Sequence, residues 1–191
     1  MPLEIEAKFR LADAGALQAR LREAGAKRVG KVLEENHFFD RPDGSLRAAD
    51  RGLRVRMARS LDEADAAQTA LLTVKGPKQA SELAPREAFD VQVAPADQIV
   101  PLLGALGFEH VMMFEKRRET WELDECLVEL DELPELGRFA EIEGPSVEVV
   151  RAVQAKLGLG DGDMEEASYS KMVSGLLKQR GEKALRFGVK G

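Results

Sequence analysis

The sequence predicts an α+β fold, an antiparallel, closed β-barrel of about eight strands with flanking helices. Three observations carry that expectation. Stretches of strict two-residue alternation recur, and each sorts its charges onto one face: Glu4, Glu6 and Lys8 near the start, Arg54 and Arg56, Lys116 and Arg118, then Glu141 and Glu143. The strand-like stretches come in runs separated by single helical stretches, a pattern of antiparallel pairing. Turned inward in one sheet, the charged faces would enclose both signs around a cavity, and buried charges need a partner or water.

The first strand is Leu3-Glu4-Ile5-Glu6-Ala7-Lys8-Phe9-Arg10. Asp13 is a good N-cap for a helix carrying Leu17, Leu21 and Ala24 at helical spacing, and Gly25 stops it. A strand from Val29 to Asp40 ends at the turn Arg41-Pro42-Asp43-Gly44. Ser45 to Gly52 reads as a polar connection, and Leu53 to Ala58 as a strand opposing Leu53, Val55 and Met57 to Arg54 and Arg56. Two arginines on one face repel unless an anion or carboxylates neutralise them, or solvent screens them. Ser60 to Gln68 reads as a mobile loop or hairpin end, a candidate lid. Ala70 to Lys75 is a strand stopped by Gly76-Pro77, with Lys75 on the Leu71/Thr73 face, and the loop from Pro77 to Pro85 is expected to be flexible.

Arg86 to Val93 alternates Phe89, Val91 and Val93 against Arg86, Ala88, Asp90 and Gln92. Pro95 to Leu106 has helical spacing, with Ile99, Leu102, Leu103 and Leu106 on one side and Pro101 expected to shorten or kink it. Phe108 to Leu123 is a long strand with Phe114, Lys116 and Arg118 on one face and Glu115, Arg117 and Glu119 on the other. In the strand Cys126 to Asp131, parity groups Leu127, Glu129 and Asp131. Phe139 to Gly144 is the last clear strand. Helices follow over Ser146 to Leu157 and Glu165 to Lys178, separated by a glycine and aspartate loop in which Asp161 and Asp163 are a weak calcium-loop signal. The domain is expected to span residues 1–179, leaving 180–191 as a basic, frayed tail.

Composition narrows the function classes. Charged residues make up 32% of the chain and the formal net charge is −6, so no overall field favours nucleic acid or an anionic membrane, and an anion site must be local. Cys126 is the single cysteine, which excludes an internal disulfide and fits a reducing compartment. No targeting pattern or membrane-length apolar run is visible, and a cytoplasmic location is expected. His37 and His110 lie far apart with no companion at ligand spacing, which argues against zinc and leaves oxygen ligation for any metal. Clustered carboxylates suit Mg²⁺ or Mn²⁺, and basic residues suit phosphate oxygens. A polyanion with divalent cations would neutralise both sets.

Glu4-x-Glu6-x-Lys8, Leu53-Arg54-Val55-Arg56, Leu72-Thr73-Val74-Lys75-Gly76-Pro77, Phe114-Glu115-Lys116-Arg117-Arg118, Val128-x-Leu130-Asp131 and Leu136-Gly137-Arg138-Phe139-Ala140-Glu141-Ile142-Glu143-Gly144 occur in that order. Together they resemble the CYTH family, also called triphosphate tunnel metalloenzymes, from residue 3 to about Lys178. His37-Phe38-Phe39-Asp40 and Pro42-Asp43 most resemble its class IV adenylyl cyclase-like branch. The resemblance implies a tunnel gripping a triphosphate. It assigns substrate phosphates to Lys8, Arg54, Arg56, Lys75, Arg86, Lys116, Arg118 and Lys171. It assigns metals to Glu4, Glu6, Asp131, Glu141 and Glu143, and catalysis to Glu4, Glu6 and Lys8. One departure stands out: in Arg86-Glu87-Ala88-Phe89-Asp90, Ala88 replaces a tunnel carboxylate and leaves Asp90 nearest, which weakens a second metal site.

The expected activity is metal-dependent hydrolysis of inorganic triphosphate, ATP or another nucleoside triphosphate, or thiamine triphosphate. The alternatives are cyclisation of ATP to cyclic AMP, or non-catalytic binding of a polyphosphate or nucleotide. A small-molecule triphosphate is the expected partner, with no nucleic acid or membrane, and a homodimer is compatible with the sequence.

Overall fold

The computed structural model describes residues 3–79, 83, 86–94 and 96–188, and the side chains of Leu3, Glu4, Ala96 and Asp97 lie outside that description. Strand β1 (Leu3–Leu11) leads through α1 (Ala14–Glu23) to β2 (Lys27–Asp40), the short α2 (Ser45–Ala48) and the strands β3 (Gly52–Ser60), β4 (Thr69–Lys75) and β5 (Arg86–Gln92). Helix α3 (Ala96–Ala105) precedes β6 (Glu109–Leu123), β7 (Cys126–Leu133) and β8 (Gly137–Gly144). Helices α4 (Val147–Lys156) and α5 (Tyr169–Arg180) and a two-residue β9 (Ala184–Leu185) complete the chain. Among the described residues, no helix is long and apolar enough to cross a membrane.

Strands β1 to β8 form an antiparallel sheet in the order β2-β3-β4-β5-β1-β8-β7-β6, with β6 also pairing along β2. The β1–β5 seam is thin, because only Leu3 with Glu87 and Glu4 with Arg86 are in register. The eight strands thus make one curled antiparallel sheet with helices outside, and β1–β5 is its weakest seam.

The sheet is polar within and apolar without. On β1, Lys8 is buried on the concave face while Ala7 and Phe9 are buried on the convex one. The convex side of β1, β8, β7 and β6 packs under α1 and α4 through Phe9, Leu21, Trp121, Val128, Ile142 and Val153. Ile99 and Leu103 of α3 cover Leu53 and Val55. Helix α5 closes one end, where Tyr169, Val173 and Leu177 pack on Phe114, Leu133 and Phe139.

Several local expectations hold. Asp13 accepts from the Gly15 and Ala16 N–H groups at 2.8 and 3.2 Å, and Gly25 follows α1 at φ 79°. Gly144 ends β8 where a Cβ would lie 2.7 Å from Cys126 Sγ, so only glycine lets α4 start there.

Other expectations need correction. The connection after Gly44 contains α2, held by the Asp40 carboxylate accepting from the Leu46 and Arg47 N–H groups. Ser60 to Gln68 is the hairpin end between β3 and β4, one of the two forms expected for it, and it is anchored at Asp62, which accepts from both terminal nitrogens of Arg28 and from the Lys31 N–H. Leu102 on α3 and Leu106 just past it face solvent, while Ile99, Leu103 and, in part, Val100 meet the sheet. Pro95 and most of 80–85 lie outside the described residues. Asp161 sits in a 3-10 turn and accepts from Arg151 and Gln154. The segment expected to be frayed carries β9, which runs parallel to β6 at Met113 and Phe114 and buries Leu185.

Candidate active site

The concave face encloses a cavity of about 1100 Å³. Register explains how distant segments meet there. Lys8 opposes Glu141 and Glu6 opposes Glu143 across β1 and β8, Arg54 opposes Thr73 and Thr73 opposes Asp90 across β3, β4 and β5, and Glu34 opposes Lys116 across β2 and β6. Side chains two residues apart on a strand point the same way, so each alternating motif contributes a row.

Glu6, Lys8, Arg54, Arg56, Lys75, Arg86, Lys116, Arg118, Glu141, Glu143 and Lys171 all line the cavity. Asp131 joins them through bonds to Lys116 at 3.2 Å and to Arg118 Nε at 2.7 Å. The side chain of Glu4 lies outside the described residues, although its backbone pairs with Arg86. Glu34, Asn36, Thr73, Glu129 and Tyr169 were not among the sequence-assigned site residues, yet they belong to the same constellation, as does Asp90, the nearest substitute in the sequence for the carboxylate that Ala88 replaces. Glu34 and Asn36 share the two-residue spacing, but on a strand whose apolar residues drew the eye. Glu129 has the parity of Asp131.

Arg118 is the hub of the acidic half. Its guanidinium is buried and pairs with Glu129, Asp131 and Glu141; burial lowers its pKa, but Asp131, Glu129 and Glu34 outweigh that and hold it well above the ordinary value. Lys116 bridges Glu34 and Asp131 at 3.3 and 3.2 Å, and Lys8 meets Glu141 at 3.3 Å. Burial pushes the Glu34 carboxyl up, but Lys116, Arg118 and Arg56 together outweigh it and hold it at about 2. Glu129 is pushed up to about 7 by burial, with Asp131 and Glu141 adding to the effect and Arg118 opposing it. Lys8 and Lys116 also sit over the Tyr169 ring, 4.3 and 5.1 Å from its centre.

Arg54 is different. It lies beside Arg56, and among the described residues its terminal nitrogens reach only neutral acceptors, Asn36 at 3.5 Å and Thr73 at 3.4 Å. Its Nε is buried with no hydrogen-bond partner among the described residues. Arg56, by contrast, has Glu34 at 3.5 Å. Along the lining described here, basic side chains outnumber acidic ones. The surplus and the orphaned donor call for an anion.

Ala88 is buried on the concave face opposite Lys75, and Asp90 accepts a hydrogen bond from the Thr73 hydroxyl. Among the described residues, no three acidic or histidine side chains converge as a ready-made metal cage. The donor set still suits a hard cation. Glu6 and Glu143 stand directly opposite each other on the cavity face, where like charges are unfavourable without a cation. Mg²⁺ in particular is held by one or two carboxylates plus substrate phosphates.

Residues 2–168 match the family described as the CYTH domain. This chain belongs to the CYTH family. Its CYTH relatives include adenylate cyclase CyaB of Aeromonas hydrophila, 29% identical over 193 residues that cover 94% of this chain and 93% of that protein. The MJ0240 protein of Methanocaldococcus jannaschii is 27% identical over 141 residues, covering 74% of this chain and 76% of that one. Among solved structures, the PH1819 protein of Pyrococcus horikoshii superposes with a TM-score of 0.77 at 27% identity, covering 91% of this chain and 99% of its own. The CYTH match spans the strands that build the cavity.

Proposed function

We propose that the protein is a metal-dependent enzyme that closes its curled sheet around a triphosphate and catalyses attack on it, most directly by water. The observation that carries this reading is Arg54: a half-buried arginine in the cavity wall beside a second arginine, with a buried, unpartnered Nε and no carboxylate hydrogen-bonded to it among the described residues. A multiply charged anion supplies the missing acceptors.

In this reading Lys8, Arg54, Arg56, Lys75, Arg86, Lys116, Arg118 and Lys171 hold phosphate oxygens. Lys116 and Lys8 are positioned for this by the Tyr169 ring and by their carboxylate partners. Glu6 and Glu143, with Glu4, Asp131 and Glu141 nearby in sequence or space, would hold Mg²⁺ or Mn²⁺. A cation held there would supply positive charge to offset the charge that develops on the phosphate oxygens. The protein's own contribution is positioning and fixed positive charge inside a low-dielectric wall.

The second reading is cyclisation of ATP. It is favoured by the cavity, whose 1100 Å³ leaves space beyond the phosphates for a nucleoside, and by the relative named adenylate cyclase. Incubating purified protein with inorganic triphosphate, ATP and thiamine triphosphate in Mg²⁺ or Mn²⁺ separates these readings. Phosphate release supports hydrolysis, and cyclic AMP with pyrophosphate supports cyclisation. No turnover of any triphosphate across pH 5 to 10 would overturn both.

A further inference from the structure

The chain's only two histidines, 73 positions apart, meet on the convex wall of the sheet, away from the cavity. A β-bulge brings them together. Phe38 pairs with Met112 and Phe39 with His110, leaving Val111 as the extra residue of β6. Below the bulge the even-numbered residues Phe114, Lys116 and Arg118 face the cavity. An unbroken β6 would therefore aim His110 inward as well, and the inserted residue flips it onto the face of His37.

In the metal-free protein the two rings share a hydrogen bond, His37 Nδ1 and His110 Nε2 lying 3.2 Å apart, and a turn of the exposed His110 ring that breaks it aims both nitrogens at one point. A transition-metal ion bonded to imidazole nitrogens at about 2.1 Å spans such a pair at an angle of roughly 100°. On the far side of the His37 ring, Glu35 Oε2 stands 3.7 Å from Nε2, where a carboxylate orients a ligating imidazole. The Phe39 ring walls the other flank of His110, with ring centres 5.3 Å apart, and His110 itself is exposed enough for an ion to enter. Nearby Arg186 is occupied by Glu115 at 3.2 Å and Glu35 at 3.8 Å. Burial lowers the His37 imidazole pKa, with Glu35 opposing and Arg186 adding to the effect, and burial, His37 and Lys183 lower that of His110, all of which favours the neutral rings that bind metal.

We propose that His37 Nδ1 and His110 Nε2 chelate one borderline divalent transition ion, of the Cu²⁺, Ni²⁺ or Zn²⁺ class, on the convex wall, with water completing its coordination. Imidazole selects such ions, whereas the carboxylates of the cavity select hard ones. The proposal does not depend on the enzymatic reading.

The test uses the full chain with excess Mg²⁺ to occupy carboxylate sites. One equivalent of Cu²⁺ should give an electron paramagnetic resonance spectrum with splitting from two imidazole nitrogens. Calorimetric titration with Ni²⁺ should show one site whose affinity falls at least about tenfold in His37→Gln and again in His110→Gln, with circular dichroism of the metal-free proteins unchanged. An oxygen-only Cu²⁺ spectrum, or Ni²⁺ affinity retained by either variant, would overturn the proposal. Should a variant misfold, the wild-type Cu²⁺ spectrum decides alone.

Discussion

Glu34 and Glu129 are buried carboxyls that both feel Arg118, yet their surroundings push them in opposite directions. Glu34 faces Lys116 and Arg56 and is held at about 2. It stabilises the fold above the unfolded carboxyl value, and that contribution disappears as pH falls toward about 2. Glu129 shares one arginine with Asp131 and Glu141 and is pushed up to about 7. Between about 4.5 and 7 the native state keeps a proton that the unfolded chain has lost, so stability declines as pH rises through that window. Thermal unfolding from pH 4.5 to 8 should show this decline, by up to a few kcal/mol, and Glu129→Gln should flatten it. An unchanged slope in Glu129→Gln would mean another group titrates there. Two kinetic outcomes belong here as well. Arg56→Ala should raise KM about tenfold to a hundredfold, the value of one or two charge-assisted hydrogen bonds, with a smaller effect on kcat. Glu6→Gln should cut metal-dependent turnover by about tenfold to a hundredfold while leaving the melting temperature near that of wild type. Steady-state kinetics check both. Alternation made Glu6, Lys8, Arg54, Arg56, Glu141 and Glu143 legible in the sequence, because a run of charges at period two is a visible pattern. The contact of His37 with His110 was not legible, since it depends on a single bulged residue, and no local signal at Val111 announces it.

At the scale of elements, register and packing do what the motifs alone could not. Helix α4 begins directly after β8 because Gly144 admits the close approach of Cys126 and Val150. Gly144→Ala should therefore destabilise the protein by about 1 to 3 kcal/mol through overpacking, read as a lowered urea midpoint. An unchanged midpoint would show that the neighbours give way. The amphipathic helices and all eight long strands were readable from periodicity. Two short elements were not: α2 depends on Asp40 capping across a turn, and β9 on docking Leu185 beside Phe114. Elements of two to four residues have too little sequence for a period, and tertiary contacts define them.

For the whole molecule, the sheet inverts the usual arrangement. Its apolar face is turned outward beneath α1, α3 and α4, and its charged face encloses the cavity. Sequence could predict that opposite charges gather inside a curled sheet, because each row is encoded locally. It could not show how the interior charges pair, since Arg118 draws carboxylates from two other strands. Those pairings leave Arg54 wanting an anion, and the cavity exceeds what three phosphates need. The most direct measurement is a crystal structure with a non-hydrolysable ATP analogue and Mn²⁺. The phosphates are expected between Arg54, Arg56 and Lys116, with anomalous scattering from manganese beside Glu6 and Glu143. An analogue bound on the convex surface, or a soaked cavity holding neither phosphate nor manganese, would contradict the assignment.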